Sequence, residues 1–108
     1  MSPRRGEIWW VNLDPTRGSE IKKTRPCVIL GTNILNERRR TVVIIPLSTG
    51  PEAAPPLLVA IGCAGKSAIA VIDQIRAVAK ERLYGRLGAL SPSDLAKVEE
   101  GLRTVLEL

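Results

Sequence analysis

The apolar runs of this chain are all short, and each is stopped by proline, glycine or charge before it grows to the length of a buried helix. EIWWVNL (7–13), PCVILG (26–31), TVVIIPL (41–47), LLVAI (57–61), SAIAVI (67–72) and QIRAV (74–78) follow one another in this way. They are rich in Val and Ile, whose stiff branched side chains suit a pleated surface. Several are continuously apolar, the pattern of strands covered on both faces. The connections carry turn chemistry. DPTRGSEIKKT (14–24) has Asp-Pro and Gly among charges, and STGPEAAPP (48–56) has too many prolines for regular strand or helix. TNILNERRR (32–40) reads as a polar connection, and Gly62 and Gly65 mark a turn between the fourth and fifth runs.

Only near residue 90 does the spacing change. Ser91, Pro92 and Asp94 read as an N-cap, a proline in the first turn and an acid beside the positive end of the dipole. Leu95, Val98, Leu102 and Val105 follow at intervals of three, four and three, which makes one apolar helical stripe. The expected fold is therefore mainly β with a C-terminal helix: five to six short strands in a small, strongly bent sheet or barrel closed by that helix. At 108 residues the chain fits one domain, 1–108. So small a core leaves a role for a second copy in covering apolar surface.

Chemistry is bounded by what is missing. The chain has no histidine, which removes Ser-His-Asp and Cys-His catalysis, paired imidazoles and the commonest transition-metal ligand. Cys27 and Cys63 lie apart in apolar runs and read as small buried hydrophobes, with no disulfide framework and no zinc site. No close set of carboxylates suggests a two-metal nuclease. An enzyme on this chain is expected to use neither cofactor nor metal. Sixteen Lys and Arg against eleven Asp and Glu give a net charge of +5, which favours an anionic partner: nucleic acid, a membrane surface or an acidic protein. No apolar stretch approaches the roughly 20 residues of a membrane span, and no signal peptide is in view, so the expected location is cytoplasmic.

Three segments in order resemble the MazF/PemK toxins. They are RGEIWWVNLDPTRGSEIKKTRPCVIL (5–30), VVIIPLSTG (42–50) and IDQIRAVAKERL (72–83). The resemblance spans nearly the whole chain and implies an SH3-like barrel, a homodimer and metal-independent cleavage of single-stranded RNA at short sequences. It also implies inhibition by a cognate antitoxin. Many relatives carry Thr where this chain has Ser48, and Thr49 follows directly, so either hydroxyl could face the substrate. A second reading keeps the fold and replaces catalysis by gyrase binding, as in CcdB. The Arg25 and Ser48 pair argues against it, since such a poison needs neither.

Cleavage by internal attack requires removal of the 2′-OH proton, stabilisation of charge on the phosphate oxygens and protonation of the departing 5′-oxygen. Arg25 suits the phosphate because its planar fork donates to two oxygens at any working pH. Ser48 or Thr49 can donate to the same phosphate, or simply serve the turn before Gly50. Glu20, the carboxylate of the Gly-Ser-Glu loop, is a candidate base or a partner for Lys22 or Lys23. Arg17 and Ser19 of that loop are candidate substrate contacts. So are Gln74 and Arg76, which would point the same way if both lay on a strand. Trp9 and Trp10, being adjacent, would face opposite sides: one in the core, the other on a base or at a dimer interface. Arg38, Arg39 and Arg40 read as a solvated loop that could also steer phosphate.

Overall fold

The fold comes from a computed structural model, which describes residues 2–15, 17–20 and 23–108. The described residues form seven strands: β1 Glu7–Asn12, β2 Thr24–Ile29, β3 Thr41–Ser48, β4 Leu58–Cys63, β5 Lys66–Val71, β6 Arg76–Ala79 and β7 Leu83–Ala89. Among the described residues α1 Asn33–Arg38 links β2 to β3, 3₁₀ turns flank β6, and α2 Pro92–Leu106 follows β7. All strand pairs are antiparallel, in the order β4-β5-β3-β2-β1-β7, with β6 on β3. The result is a half-barrel with a C-terminal helix, as the run pattern led one to expect.

One strand makes the bend. The edge of β3 away from β2 pairs with β6 over Thr41–Ile44, then with β5 at Leu47 and Ser48. Pro46, which can donate no ladder bond, falls in the gap where that edge changes partner. Two cores result, one on each face of the curled sheet. Trp9, Val11, Leu13, Cys27, Ile29, Val42, Ile44 and Val78 fill one face. Ile8, Val28, Ile45 and Leu47 face the other way, where β4, β5, the turn after β5 and α2 cover them with Val59 and Ile61, Ala70, Ile72 and Val98. The continuous apolar runs of β2 and β3 follow from this, since both of their faces are buried.

The terminal helix is built as its spacing implied. The Ser91 hydroxyl accepts from Asp94 N–H at 3.1 Å, and the Asp94 carboxylate accepts from Gly62 N–H at 2.9 Å, tying the helix start to β4. Val98 is fully buried, with Leu95, Leu102 and Val105 packed beside it. Gly101 sets how close the helix lies, because a Cβ there would stand 3.0 Å from the Pro56 carbonyl oxygen and 3.3 Å from Ile72.

Three expectations need correction. The 32–40 segment contains α1, capped by the Thr32 hydroxyl and anchored by the fully buried Asn36, whose amide donates to the Gly31 carbonyl at 3.1 Å. Six residues with one buried polar anchor give no apolar period to read. β7 was absent from the run pattern because Tyr84, Arg86 and two glycines interrupt it, yet it pairs with β1 along its length. Gln74 lies in a 3₁₀ turn, Ile72–Gln74, and not on the strand that Arg76 begins, so strand alternation does not align the two.

Candidate functional site

At the end of β3, between the start of β2 and the start of β5, lies a cavity of about 620 Å³. Its floor is apolar, with Trp10, Pro26, Leu47, Cys63, Ala68 and Leu87. Its rim is polar. Lys23, Thr24 and Arg25 come from the start of β2, Ser48 and Thr49 from the end of β3, and Lys66 and Ser67 from the start of β5. Among the described residues, three of the lining side chains are cations and none is a carboxylate. Such a concavity raises the local concentration of anions.

Arg25 is thus brought to the same cavity lining as Ser48 and Thr49, more than twenty positions further along the chain. Arg25 and Ser48 are half-buried and Thr49 is exposed. The Ser48 hydroxyl stands 3.5 Å from the Gly50 N–H, in position to accept from it. That is the turn role open to it, and it leaves the hydroxyl proton available for another acceptor. Arg76, opposite Ile44 at the start of β6, is half-buried and outside the cavity lining. Burial pushes the Cys27 thiol up to about 12, against the opposing pull of the Arg76 and Arg25 charges. Both guanidinium groups therefore act on one point of the sheet, while the thiol itself stays protonated and inert.

The loop after β1 is closed at its neck. Leu13 N–H donates to the Lys23 carbonyl at 3.0 Å, and Lys23 N–H donates to Asp14 Oδ1 at 2.9 Å. The Arg82 guanidinium donates to the Asn12 carbonyl at 3.1 Å and also to the Asp14 carbonyl. Within the loop, Glu20 Oε1 accepts from Arg17 N–H at 2.6 Å and the Arg17 carbonyl accepts from Glu20 N–H at 3.2 Å. Arg17, Ser19 and Glu20 are exposed and none lines the cavity. Lys22 lies outside the described residues. Gln74 is half-buried just before β6, also outside the lining.

The two tryptophans divide as strand alternation requires: Trp9 is 6% exposed in the core that holds Val11 and Ile44, and Trp10 is 37% exposed on the cavity floor. Arg38, Arg39 and Arg40 are exposed at the end of α1. Sequence reasoning missed Lys66, Ser67 and Arg82. The only signal for Lys66 was its place beside Gly65. Arg82 gives none, because its partners are some 70 positions away. Among the described residues no three His, Cys, Asp or Glu side chains converge as a metal-ligand set, and no helix is long and apolar enough to cross a membrane.

Comparison with known proteins follows the same lines. The family described as PemK-like, MazF-like toxin of type II toxin-antitoxin systems matches residues 4–106. The endoribonuclease MazF9 of Mycobacterium tuberculosis is 33% identical over 114 residues, covering 97% of each chain. Among solved structures, MazF of Deinococcus radiodurans superposes with a TM-score of 0.87 at 24% identity, covering 100% of this chain and 99% of that one. An endoribonuclease in complex with its cognate antitoxin, from a mycobacterial species, gives 0.82 at 26% identity, covering 99% and 97%.

Proposed function

The chain belongs to the PemK-like, MazF-like toxin family of type II toxin-antitoxin systems, and from that premise we propose that it cuts single-stranded RNA at the cavity walled by Arg25, Ser48 and Thr49. The observation that carries this reading is the convergence of those three residues on one cationic rim free of carboxylates. A phosphodiester is the anion such a rim suits, and the apolar floor offers space for a base beside it.

In the proposed reaction the 2′-oxygen attacks the adjacent phosphorus while the bond to the 5′-oxygen breaks. Arg25 donates to the two non-bridging oxygens, and Ser48 or Thr49 adds a further hydrogen bond as their charge grows. Glu20 takes the 2′-OH proton. Since its carboxylate caps its own loop, that role requires substrate to draw the loop towards the cavity. Water protonates the leaving 5′-oxygen. Arg17, Ser19, Gln74 and Arg76 contact the flanking nucleotides, the arginines at phosphates and Gln74 at a base edge. The scheme uses no metal and no cofactor.

The same cationic surface suits an acidic antitoxin, and a relative of this fold is known in complex with its cognate antitoxin. The working unit is a homodimer, which would cover exposed apolar groups such as Ile34, Leu35 and Tyr84. The expected compartment is the cytoplasm. Gyrase binding is the less favoured reading, because the matching relatives are endoribonucleases. Incubation with single-stranded RNA in excess EDTA tests the scheme, with fragments ending in 2′,3′-cyclic phosphate and 5′-hydroxyl as the expected result. A strict need for Mg²⁺, or 5′-phosphate ends, would sink it.

A further inference from the structure

The β4–β5 hairpin contributes something to the cavity that no motif announced. Its turn is Ala64-Gly65, with φ of 51° and 81°, the paired positive values of a type I′ hairpin. A two-residue turn of this kind leaves its flanking residues little freedom. Cys63 and Lys66 sit directly opposite each other across it, so their side chains leave the hairpin on one face. That face is the cavity's, since Cys63 lies in the floor and Lys66 in the rim. Lys66 is exposed, has no ion-pair partner among the described residues and shares the lining with no carboxylate.

The distance from Ser48 also matters. Ser48 is registered with Ile69, three residues along β5 from Lys66. At a rise of about 3.3 Å per residue, the Lys66 Cα lies roughly 10 Å along the strand from that point. β3 lies between β2 and β5, so Arg25 on β2 and Lys66 on β5 line the cavity from strands on opposite sides of Ser48. A strand of RNA crossing the cavity with one phosphate at Arg25 would present a different phosphate to the hairpin.

On the reading that the cavity takes RNA, we infer that Lys66 is a positioning residue which holds a phosphate flanking the scissile one and sets the strand's path across the floor. A lysine ammonium suits such a contact, because a point charge grips a phosphate without demanding the two-pronged geometry that Arg25 would impose at the reacting centre. Lys66 touches no reacting atom. Its loss should therefore raise KM and leave kcat nearly unchanged.

The test uses the full-length protein and two ligands, a cleavable single-stranded RNA and the same oligonucleotide with 2′-deoxy substitution at the scissile position. Binding of the uncleavable form is followed by tryptophan fluorescence, since Trp10 lies on the cavity floor, over a range of salt. Lys66→Ala should weaken binding about five-fold near 0.1 M salt and reduce the slope of log K against log salt by about 0.7, the share of one phosphate on a single strand. Lys66→Arg should restore both. Lys97→Ala, a cation on α2 beside Asp94, should keep the wild-type slope. An unchanged slope and KM in Lys66→Ala, with wild-type cleavage intact, would overturn this inference and leave the ribonuclease standing. An equal loss of slope in Lys97→Ala would overturn it too, by reducing the effect to net charge. So would a Lys66→Ala variant that loses affinity for an acidic peptide and not for RNA. Failure of the wild type to bind or cut RNA would remove the ribonuclease reading and this inference together.

Discussion

Arg5, Arg82 and Arg86 end on acceptors that the fold itself supplies, whereas Lys23 and Lys66 end at a cavity whose lining holds no carboxylate. The first group acts as bolts. Arg5 joins the start of β1 to α2 through Glu99 at 2.6 Å and to the Leu30 carbonyl. Arg86 joins β7 to β1 through Glu7 at 2.6 Å. The second group keeps its charge for a ligand. Residue type does not separate the two classes, because all five are ordinary cations in sequence. What separates them is whether the chain brings an acceptor within reach. A basic net charge thus overstates the binding surface, since part of it is taken up by the fold.

Mutation can break this division, and the largest effect belongs to Arg25. Arg25→Ala should lower kcat by roughly 100-fold or more, the usual cost of removing a donor to transition-state charge. Arg25→Lys should recover little of it. Unfolding curves should stay near wild type for both, and near-normal single-turnover rates would remove Arg25 from the reaction. Next is the hydroxyl pair. Replacing the residue that donates to the phosphate should cost about ten-fold in kcat, the equivalent of about 1.4 kcal/mol. Ser48→Ala is expected to show this loss, because Ser48 is half-buried on β3, and Thr49→Ala a smaller one. The reverse order would assign the role to Thr49.

Arg5→Ala should do the opposite of Arg25→Ala. Denaturant unfolding should show a loss of about 1–2 kcal/mol from the hydrogen bonds to Leu30 and Glu99, while the rate per folded molecule is kept. A selective loss of rate would move Arg5 across the division. The smallest effect concerns Glu7. Burial pushes its carboxyl up, but the Arg4 N–H, the Trp9 indole N–H and Arg86 outweigh that and hold it below the ordinary 4.5. A depressed native value means stability that is present above the unfolded pKa and is lost as pH falls through the native one. Thermal midpoints measured downward from about pH 5 should fall less steeply in Glu7→Gln than in wild type.

Much of the fold could be read from residues alone. Val/Ile runs between prolines and glycines gave the strands, and Ser91 with the stripe from Leu95 to Val105 gave the helix, because each signal is local and repeats along the chain. β7 escaped because Tyr84, Gly85 and Arg86 carry no apolar period, and its place depends on β1 beside it. At the site, Arg25, Ser48 and Thr49 were legible through the resemblance, and all three line the cavity. Glu20, Gln74 and Arg76 were named on the same grounds and lie outside the lining, on the loop, the turn and β6.

By itself the sequence determined the periodicities, the N-cap of α2, the burial of both cysteines and the absence of histidine chemistry. These depend on side-chain type and near neighbours. Tertiary structure alone decided that one edge of β3 serves two partners, that a cavity opens at the end of that strand, and that Lys66 reaches that cavity from a hairpin 18 positions beyond Ser48. The physical reason is that a site of this kind is a set of distances between strands. Such distances follow from strand register and from the curl forced by packing both faces of one sheet, and no stretch of neighbouring residues encodes them.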